Sequence, residues 1–408
     1  MRVLDLVLTP VQAGVAVYAL HRLALAAAAF SCVPALPPGA RRTRFAVLVP
    51  AHDEEAVVGC LVRSLAAQDY PRGLYDVYVV ADNCSDRTAE AAREAGAVVF
   101  ERCDLDRRGK GHALNWLADR VLETGKKYDA ACVLDADNLA DPGLLRTLDA
   151  CLSRGDVAVQ GSILPKNRDS TVSRLDGLMQ MGACAQQVAR ERLGLAVLLA
   201  GTGLAIKWEL LREMRWDGNC LVEDQAMTVG LLLRGHRVRY CPQAVVYDEK
   251  PVSLSSSVAQ KERWVRGRAA LARRAAPQLL GQFWHNGNLR ALELALLLVQ
   301  PARAVLLLAL GGLAALAAAF PVTRLLPWGI WAGLLAGQLL VPAVSVLAGG
   351  GGLRGFALAL FLPAYSLLPT LSACLSALSG RRASWRRTPH VRSVGLEGIT
   401  GARPGGGV

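Results

Sequence analysis

The 408-residue chain is short of charge in one long stretch and short of several familiar motifs. Residues 291–380 hold only Glu293, Arg303, Arg324 and Arg354 as charged side chains, while 66 of the 80 in the chain lie between residues 41 and 290. The two stretches are built for different solvents, the first for a membrane and the second for water. The ten cysteines include no CxxC, and no two are closer than 19 residues, which excludes a zinc-binding pattern. Cys132, in the apolar run ACVLDAD, reads as a buried free thiol, and a reducing compartment follows. No GxGxxG follows the first strand, so a dinucleotide fold is excluded. GKG at 109–111 and Gly125-Lys126 lack the upstream glycine of a P-loop, so that class of ATPase is excluded too. No DNA- or RNA-binding motif accompanies the net charge of +12, and nucleic acid is not an expected partner. The arginines cluster beside apolar segments instead, at Arg41, Arg42 and Arg44 and at Arg381, Arg382, Arg386 and Arg387. That placement marks the cytoplasmic side of a membrane.

What is present is a hydrophobic chain: 52% apolar residues and a mean hydropathy of +0.29 exclude a disordered chain, a collagen or a small disulfide scaffold. Residues 3–30 form an apolar stretch broken by His21 and Arg22, which reads as a membrane anchor rather than a signal peptide. Three further blocks, 292–320, 325–347 and 353–378, are each long enough to cross about 30 Å of hydrocarbon, with Pro301, Pro363 and Pro369 placed to kink them. One N-terminal span and three C-terminal spans would put the arginine-rich tail on the opposite side from the charged domain. Either one block is re-entrant or interfacial, or the N-terminal segment does not span. Residues 279–291, with Phe283, Trp284 and His285, suit an interfacial helix. The expected organisation is an N-terminal membrane segment (1–40), a cytosolic domain (41–278), an interfacial and transmembrane region (279–380) and a basic tail (381–408).

From residue 45 the pattern alternates strand and helix. FAVLVPA (45–51), LYDVYVVAD (74–82), AVVFER (97–102) and DAACVLDAD (129–137) read as strands. EEAVVGCLVRSLAAQ, RTAEAAREAG and KGHALNWLADRVLE read as the helices between them. Ser85 or Asp86 can cap the second helix, and Asp141-Pro142 reads as an N-cap followed by a first-turn proline. This order implies an α/β fold with a mostly parallel sheet, whose ligands bind beyond the carboxyl ends of the strands. Acidic residues gather at that edge: Asp53 and Glu54, then Asp82, then Asp135 and Asp137. Carboxylates repel a pyrophosphate unless a divalent cation lies between. Asp135-Ala136-Asp137 offers hard oxygen ligands that suit Mg²⁺ or Mn²⁺ bridging two phosphates.

Eight segments in order resemble membrane-bound glycosyltransferase family 2, the group of cellulose, hyaluronan and poly-N-acetylglucosamine synthases and ceramide glucosyltransferases. They are PAHDEE (50–55), VVADNCSDRTAEAA (79–92), GKGHALN (109–115), DADN (135–138), GTG (201–203), VED (222–224), QKERW (260–264) and WRRTPH (385–390). Asp53 stands where the family has Asn, Ala81 where it commonly has Asp, and Val222 where it has Thr. The resemblance implies a GT-A nucleotide-binding sandwich with flanking transmembrane helices. By the same resemblance Glu54 and Asp82 hold the base and ribose of a nucleotide sugar, expected to be a UDP-sugar. Lys110 helps place the base or the phosphates, Asp135 touches the nucleotide, and Asp137 ligates Mg²⁺ or Mn²⁺. Asp224 is the general base, Arg263 faces the pyrophosphate, and Gln260 and Trp264 serve the acceptor. Inverting transfer is an in-line displacement that needs one base on the acceptor side and neutralisation of the leaving charge.

The expected function is metal-assisted transfer of a sugar to a lipid or glycan acceptor at the cytoplasmic face of the inner membrane. A processive β-polysaccharide synthase is the alternative within the family; so few spans make a narrow channel unless the protein forms a homo-oligomer. An inactive membrane scaffold is the alternative from another class. Several residues have a second reading. Glu223-Asp224 can be a helix N-cap pair, Trp264 an interfacial anchor, and Trp385 and Arg387 a basic stop at the membrane surface. His52 and His112 read as polar neighbours, and Asp248 and Glu249 carry no assignment.

Overall fold

A computed structural model describes residues 3–31, 42–299, 303–320, 326–378, 390 and 392–399. In chain order, α1 (Val3–Ala28) is followed by β1 (Phe45–Ala51), α2 (Val58–Ala66), β2 (Tyr75–Asp82), α3 (Thr88–Glu94) and β3 (Val98–Arg102). Next come α4 (Lys110–Glu123), β4 (Ala130–Val133), β5 (Leu139–Ala140), α5 (Leu144–Leu152), β6 (Ala158–Pro165) and α6 (Thr171–Arg192). Then follow β7 (Leu204–Lys207), α7 (Trp208–Met214), α8 (Glu223–Leu233), β8 (Val238–Asp248), α9 (Leu254–Asn286) and α10 (Leu289–Val299). The last helices are α11 (Arg303–Ala319), α12 (Trp328–Ala348), α13 (Gly352–Ala359), α14 (Leu362–Tyr365) and α15 (Leu367–Leu378). The described residues divide into two compact units, one drawn from 33–177, 194–299 and 382–408, the other from 1–32, 178–193 and 300–381.

The larger unit is built on one sheet of order β3-β2-β1-β4-β7-β6-β8-β5. Its first four strands are parallel, as the alternating pattern implies. Beyond them the sheet is mixed, because β7 runs antiparallel to both β4 and β6. β1 is covered on both faces: Phe45, Ala46, Val47, Leu48 and Val49 are fully buried. Such strands read as continuous apolar runs, and each large side chain stabilises the fold by about 1.5–3 kcal/mol. Cys132 lies among them, and burial pushes its thiol up to about 12.

Two local expectations need correction. The fourth strand stops at Val133 instead of running to residue 137. Beyond it the Asp135 N–H donates to Asn138 Oδ1 (3.2 Å) and Thr202 Oγ1 (3.1 Å), so side chains take the donor a sheet neighbour would have used. Asp141 is not the cap of α5 either. Its Oδ1 accepts from Gly143 N–H at 2.9 Å in a tight turn, and Gly143 is the residue that precedes the helix.

The smaller unit contains α1, the second half of α6, and α11 to α15. Ala19, Leu306, Leu310, Trp331 and Leu334 form its core. Thr9–Ala28 within α1 and all of α12 are long and apolar enough to cross a membrane. Gly352–Ala359 and Leu362–Ala373 meet the same test only together, across a 48° bend. The buried Arg22 donates to Gln338 Oε1 (3.2 Å), and Gln338 Nε2 donates to the Ala19 carbonyl (2.8 Å), so these polar groups in an apolar bundle satisfy one another. Within the block 292–320, α10 belongs to the larger unit and α11 to the smaller. Ala291, Leu294, Ala295 and Leu298 of α10 pack with Val222, Val229 and Leu271 in the larger unit, and only α11 belongs with the apolar helices.

Candidate functional site

The candidate residues lie in the larger unit, on loops at the carboxyl edge of β1, β2 and β4 and on α4, α8 and α9. At the end of β2, parallel register sets Asp82 beside Arg102. Arg102 Nη1 donates to Asp82 Oδ1 at 2.6 Å, and both side chains are nearly inaccessible. His52 Nδ1 bonds the Asp82 carbonyl at 2.7 Å, joining the first and second strand ends. Burial raises Asp82 above the ordinary carboxylate range, against the opposing pull of Arg102.

A second group forms around Asp137. His390 Nδ1 lies 2.9 Å from Glu54 Oε1, and its Nε2 lies 3.5 Å from Asp137 Oδ2. Asn138 Nδ2 reaches both Asp137 Oδ1 (3.2 Å) and Asp248 Oδ1 (3.4 Å). Lys166 Nζ donates to the Asp137 carbonyl at 3.2 Å, and Lys250 Nζ to Asp248 Oδ2 at 2.6 Å. Burial raises Asp137 well above the usual range, reinforced by Asp248 and Asp135. Burial lowers His390, but Asp137 and Glu54 outweigh it and hold the imidazole up at about 10. His390 thus stands between Glu54 and Asp137, and Asn138 stands between Asp137 and Asp248; carboxylates and an imidazole are donor types that suit Mg²⁺ or Mn²⁺. Asp53, Cys84 and Asp86 also converge, but Asp53 Oδ1 accepts from Ser85 N–H (2.6 Å) and Asp86 Oδ1 from Thr88 N–H (3.0 Å), which fastens two loops together.

His390 and Asp248 are the residues that sequence reasoning missed. His390 closes the tail segment WRRTPH, whose residues 385–389, with Trp385 and Arg387, lie outside the described residues. Chain docking brings it in: Arg392 pairs with Asp169, Ser393 meets Cys60, and Ile399 is buried with Cys60 and Leu139. Its position at the end of a family-like segment was the available signal. Asp248 ends β8, and nothing local distinguishes it from any acidic strand end.

The third group joins Lys110, Asp135 and Asp224. Lys110 Nζ pairs with Asp135 Oδ1 and donates to the Gly201 carbonyl at 2.7 Å. Gly201 sits at φ +77, and a Cβ there would lie 3.4 Å from Lys110 Nζ and 3.5 Å from Asp224 Oδ2. The turn in GTG therefore lets the lysine and the carboxylate approach from two sides. Glu223 and Asp224 both occupy the first turn of α8, and Asp224 Oδ1 accepts from the Gln225 N–H of that turn at 2.8 Å. Burial, then the neighbouring Glu223, push Asp224 up to about 7, while Lys110 and Arg268 pull the other way.

QKERW lies in the first half of α9. Gly267 brings this helix close to VED: a Cβ there would lie 2.9 Å from Leu221 Cβ and 3.1 Å from Val222 Cγ1. Lys261 turns inward to the buried Asp176 and Ser257. Gln260 and Arg263 make no hydrogen bond or ion pair with a described residue, and Trp264 is 40% exposed. The structure ties Lys110, Asp135 and Asp224 into one group and Glu54 and Asp137 into another, with no side-chain bond joining Gln260, Arg263 or Trp264 to either among the described residues.

The family model described as "Glycosyltransferase like family 2" matches residues 42–267, more than half of the chain. The chain belongs to glycosyltransferase family 2. Two relatives are similar to it over part of their length. It is 27% identical over 237 residues to "Probable glycosyltransferase YdaM" of Bacillus subtilis, covering 55% of each chain. It is 28% identical over 230 residues to "Beta-monoglucosyldiacylglycerol synthase" of Trichormus variabilis, covering 54% of this chain and 48% of the relative. The match thus spans about half the length of both relatives. Among solved structures, the mannosyltransferase PcManGT from Pyrobaculum calidifontis, in complex with GDP-Man and Mn²⁺, has a TM-score of 0.56 at 19% identity, over 91% of this chain and 97% of that one. That likeness establishes the GT-A fold expected for this family 2 member.

Proposed function

We propose that the chain is a membrane-bound inverting glycosyltransferase that moves a sugar from a nucleotide sugar to a lipid or glycan acceptor. The observation that carries this reading is the half-buried Asp224, raised to about 7 and set across Gly201 from the Lys110–Asp135 pair. A carboxylate with that affinity for protons is suited to act as a general base near neutral pH. In the reaction, Asp224 takes the proton of the acceptor hydroxyl as its oxygen bonds the anomeric carbon. The bond from that carbon to the diphosphate oxygen breaks, and the nucleoside diphosphate leaves with the electron pair. Because attack comes from the face opposite the leaving group, configuration inverts, and no protein nucleophile is needed.

Glu54, Asp137 and His390 are the residues that would hold Mg²⁺ or Mn²⁺, with Asp248 fixing Asp137 through Asn138. Such an ion, when bound, neutralises negative charge on the diphosphate. Lys110 adds a fixed cation beside Asp135 and stabilises the leaving charge, and Arg263, without a protein partner among the described residues, is available for the same task. Gln260 and Trp264 serve the acceptor, and Asp82 the base. A single transfer to a lipid-type acceptor is favoured over extrusion of a polymer, because only two unbroken helices among the described residues are long enough to span a membrane. The name of the diacylglycerol-type relative is consistent with an acceptor of that kind.

The test is nucleoside diphosphate release by detergent-solubilised full-length protein, with UDP- and GDP-sugars, Mn²⁺ or Mg²⁺, EDTA, and lipid acceptors. Metal-dependent release that Asp224→Asn abolishes, with one product rather than a ladder, is expected. No release with any donor in the presence of membrane lipid would sink this reading in favour of an inactive scaffold.

A further inference from the structure

The segment that leads into β7 is tied down at every residue from Leu199 to Gly203. The β6–β7 ladder runs only as far as Gln160 opposite Leu204, and beyond that point side chains take over. Gln160, fully buried on β6, donates from Nε2 to the Thr202 carbonyl (2.9 Å) and the Gly161 carbonyl (3.0 Å). Its Oε1 accepts from the Ala200 N–H (2.7 Å). One amide thus clasps the turn on both sides of Gly201, and its two carbonyl partners and one N–H partner settle which end is nitrogen. Thr228, on α8, holds the near end. Its buried hydroxyl accepts from the Leu199 N–H (3.0 Å) and donates to the Asp224 carbonyl (3.0 Å). At the far end Thr202 Oγ1 bonds Asn138 and accepts from the Asp135 N–H (3.1 Å), and the Gly161 N–H donates to the Gly203 carbonyl (2.8 Å). In the middle, at φ +77, the Gly201 carbonyl accepts from Lys110 Nζ (2.7 Å).

We propose that Gln160 and Thr228 are positioning residues that set the separation of the base Asp224 from the cation Lys110, acting through the Gly201 turn. The inference rests on the roles proposed above for Asp224 and Lys110. Gln160 and Thr228 direct every side-chain N–H and O–H they have at backbone, so neither has a donor left for a substrate. A buried turn needs a partner for each of its N–H and C=O groups, and many polar side chains could supply one. What distinguishes these two is where they are rooted. Gln160 stands on a strand paired on both sides, and Thr228 stands one helical turn after Asp224. The turn therefore cannot shift against the sheet or against α8 without breaking one of these bonds. Lys110 follows the turn through the Gly201 carbonyl. In-line displacement needs the base on one side of the anomeric carbon and the charge-neutralising group on the other, and a misplacement of about 1 Å costs about 10²-fold in rate. Loosening the turn should therefore act on kcat and leave nucleotide binding nearly as it was.

The experiment compares Gln160→Met, Thr228→Val and Thr228→Ser with the unaltered full chain in detergent. Steady-state release of nucleoside diphosphate from UDP- and GDP-sugars gives kcat and donor KM. Equilibrium binding of UDP and GDP with Mn²⁺ gives the affinity and the number of sites per chain, and thermal melts run beside both. Gln160→Met and Thr228→Val keep the side-chain size and remove the hydrogen bonds. They are expected to lower kcat by about 10–100-fold, with donor KM, nucleotide affinity and sites per chain held within about threefold. Thr228→Ser keeps the hydroxyl and should recover most of the turnover that Thr228→Val loses. A merely structural role would remove turnover in proportion to binding sites, and that result overturns the inference. So does a kcat within about threefold of the unaltered protein in folded Thr228→Val, or a serine variant no better than the valine one. Those outcomes leave the glycosyltransferase reading standing. No release from any donor by the unaltered protein overturns that reading, and the inference with it.

Discussion

At Asp224 the sequence offered two readings, a helix cap and a base, and one carboxylate can serve as both. The side chain sits in the first turn of α8, where its Oδ1 accepts from the Gln225 N–H at 2.8 Å, across Gly201 from Lys110. Asp224→Asn should lower kcat by about 10²–10⁴-fold while leaving donor KM within a few-fold, as steady-state kinetics would show. The base works deprotonated, and its affinity for protons is raised to about 7. kcat/KM should therefore fall as pH drops through about 7, by about tenfold for each further unit. An acid limb near the ordinary carboxylate range would contradict this assignment. Lys110→Met removes a cation that pulls Asp224 down, so the acid limb should move to higher pH. His390 is the residue at which local sequence said least. His390→Ala should raise the Mn²⁺ concentration for half-maximal binding by about tenfold or more, read by metal titration rather than by turnover alone.

Helix and strand periodicity made the first four strands legible, because their apolar runs are buried on both faces and punctuated by turns. Their ends were less legible. The fourth strand is cut short by Asn138 and Thr202, and Thr202 lies far along the chain in the segment before β7. The same segment explains a close approach that no local pattern shows. A Cβ on Gly161 of β6 would lie 2.3 Å from the Ala244 carbonyl and 2.9 Å from the Gly203 carbonyl, where the β6–β8 register shifts. Gly161→Ala should cost about 1–3 kcal/mol and lower the thermal midpoint, since backbone on two strands would have to move. A midpoint within one degree of the unaltered protein would show that the strands give way freely. Gly267 is the helical counterpart, holding the QKERW helix close to VED.

The whole chain combines a charged α/β unit with an apolar helical one. Thr9–Ala28 and Trp328–Ala348 carry the expectation of membrane insertion, and among the described residues the bent pair Gly352–Ala359 and Leu362–Ala373 would cross only as a broken span. The full-length protein should stay with the membrane after a carbonate wash and leave it only with detergent. Release by carbonate would mean that these helices pack on protein rather than lipid. Within the expected block 292–320, α10 packs in the larger unit and α11 belongs to the smaller one, which is a matter of scale. Apolar residues bury equally well in a protein core or in lipid, and hydropathy alone cannot say which, so α10 was legible as apolar but not as part of the globular unit.

The amino-acid sequence by itself determined the fold class, the first four strands, the family and several of the polar residues that gather at the sheet edge. These follow from periodicity and from short motifs, which depend on neighbours a few positions apart. Only the tertiary structure decided that His390 stands between Glu54 and Asp137, that Asp248 supports the latter, and that Arg102 and Asn83 occupy one oxygen of Asp82. It also decided that α10 packs into the globular core. Glu54 and His390 are 336 positions apart, and no local spacing encodes a contact that chain docking creates. Burial raises the Asp224 carboxylate in the same way, through desolvation by elements the sequence does not place side by side.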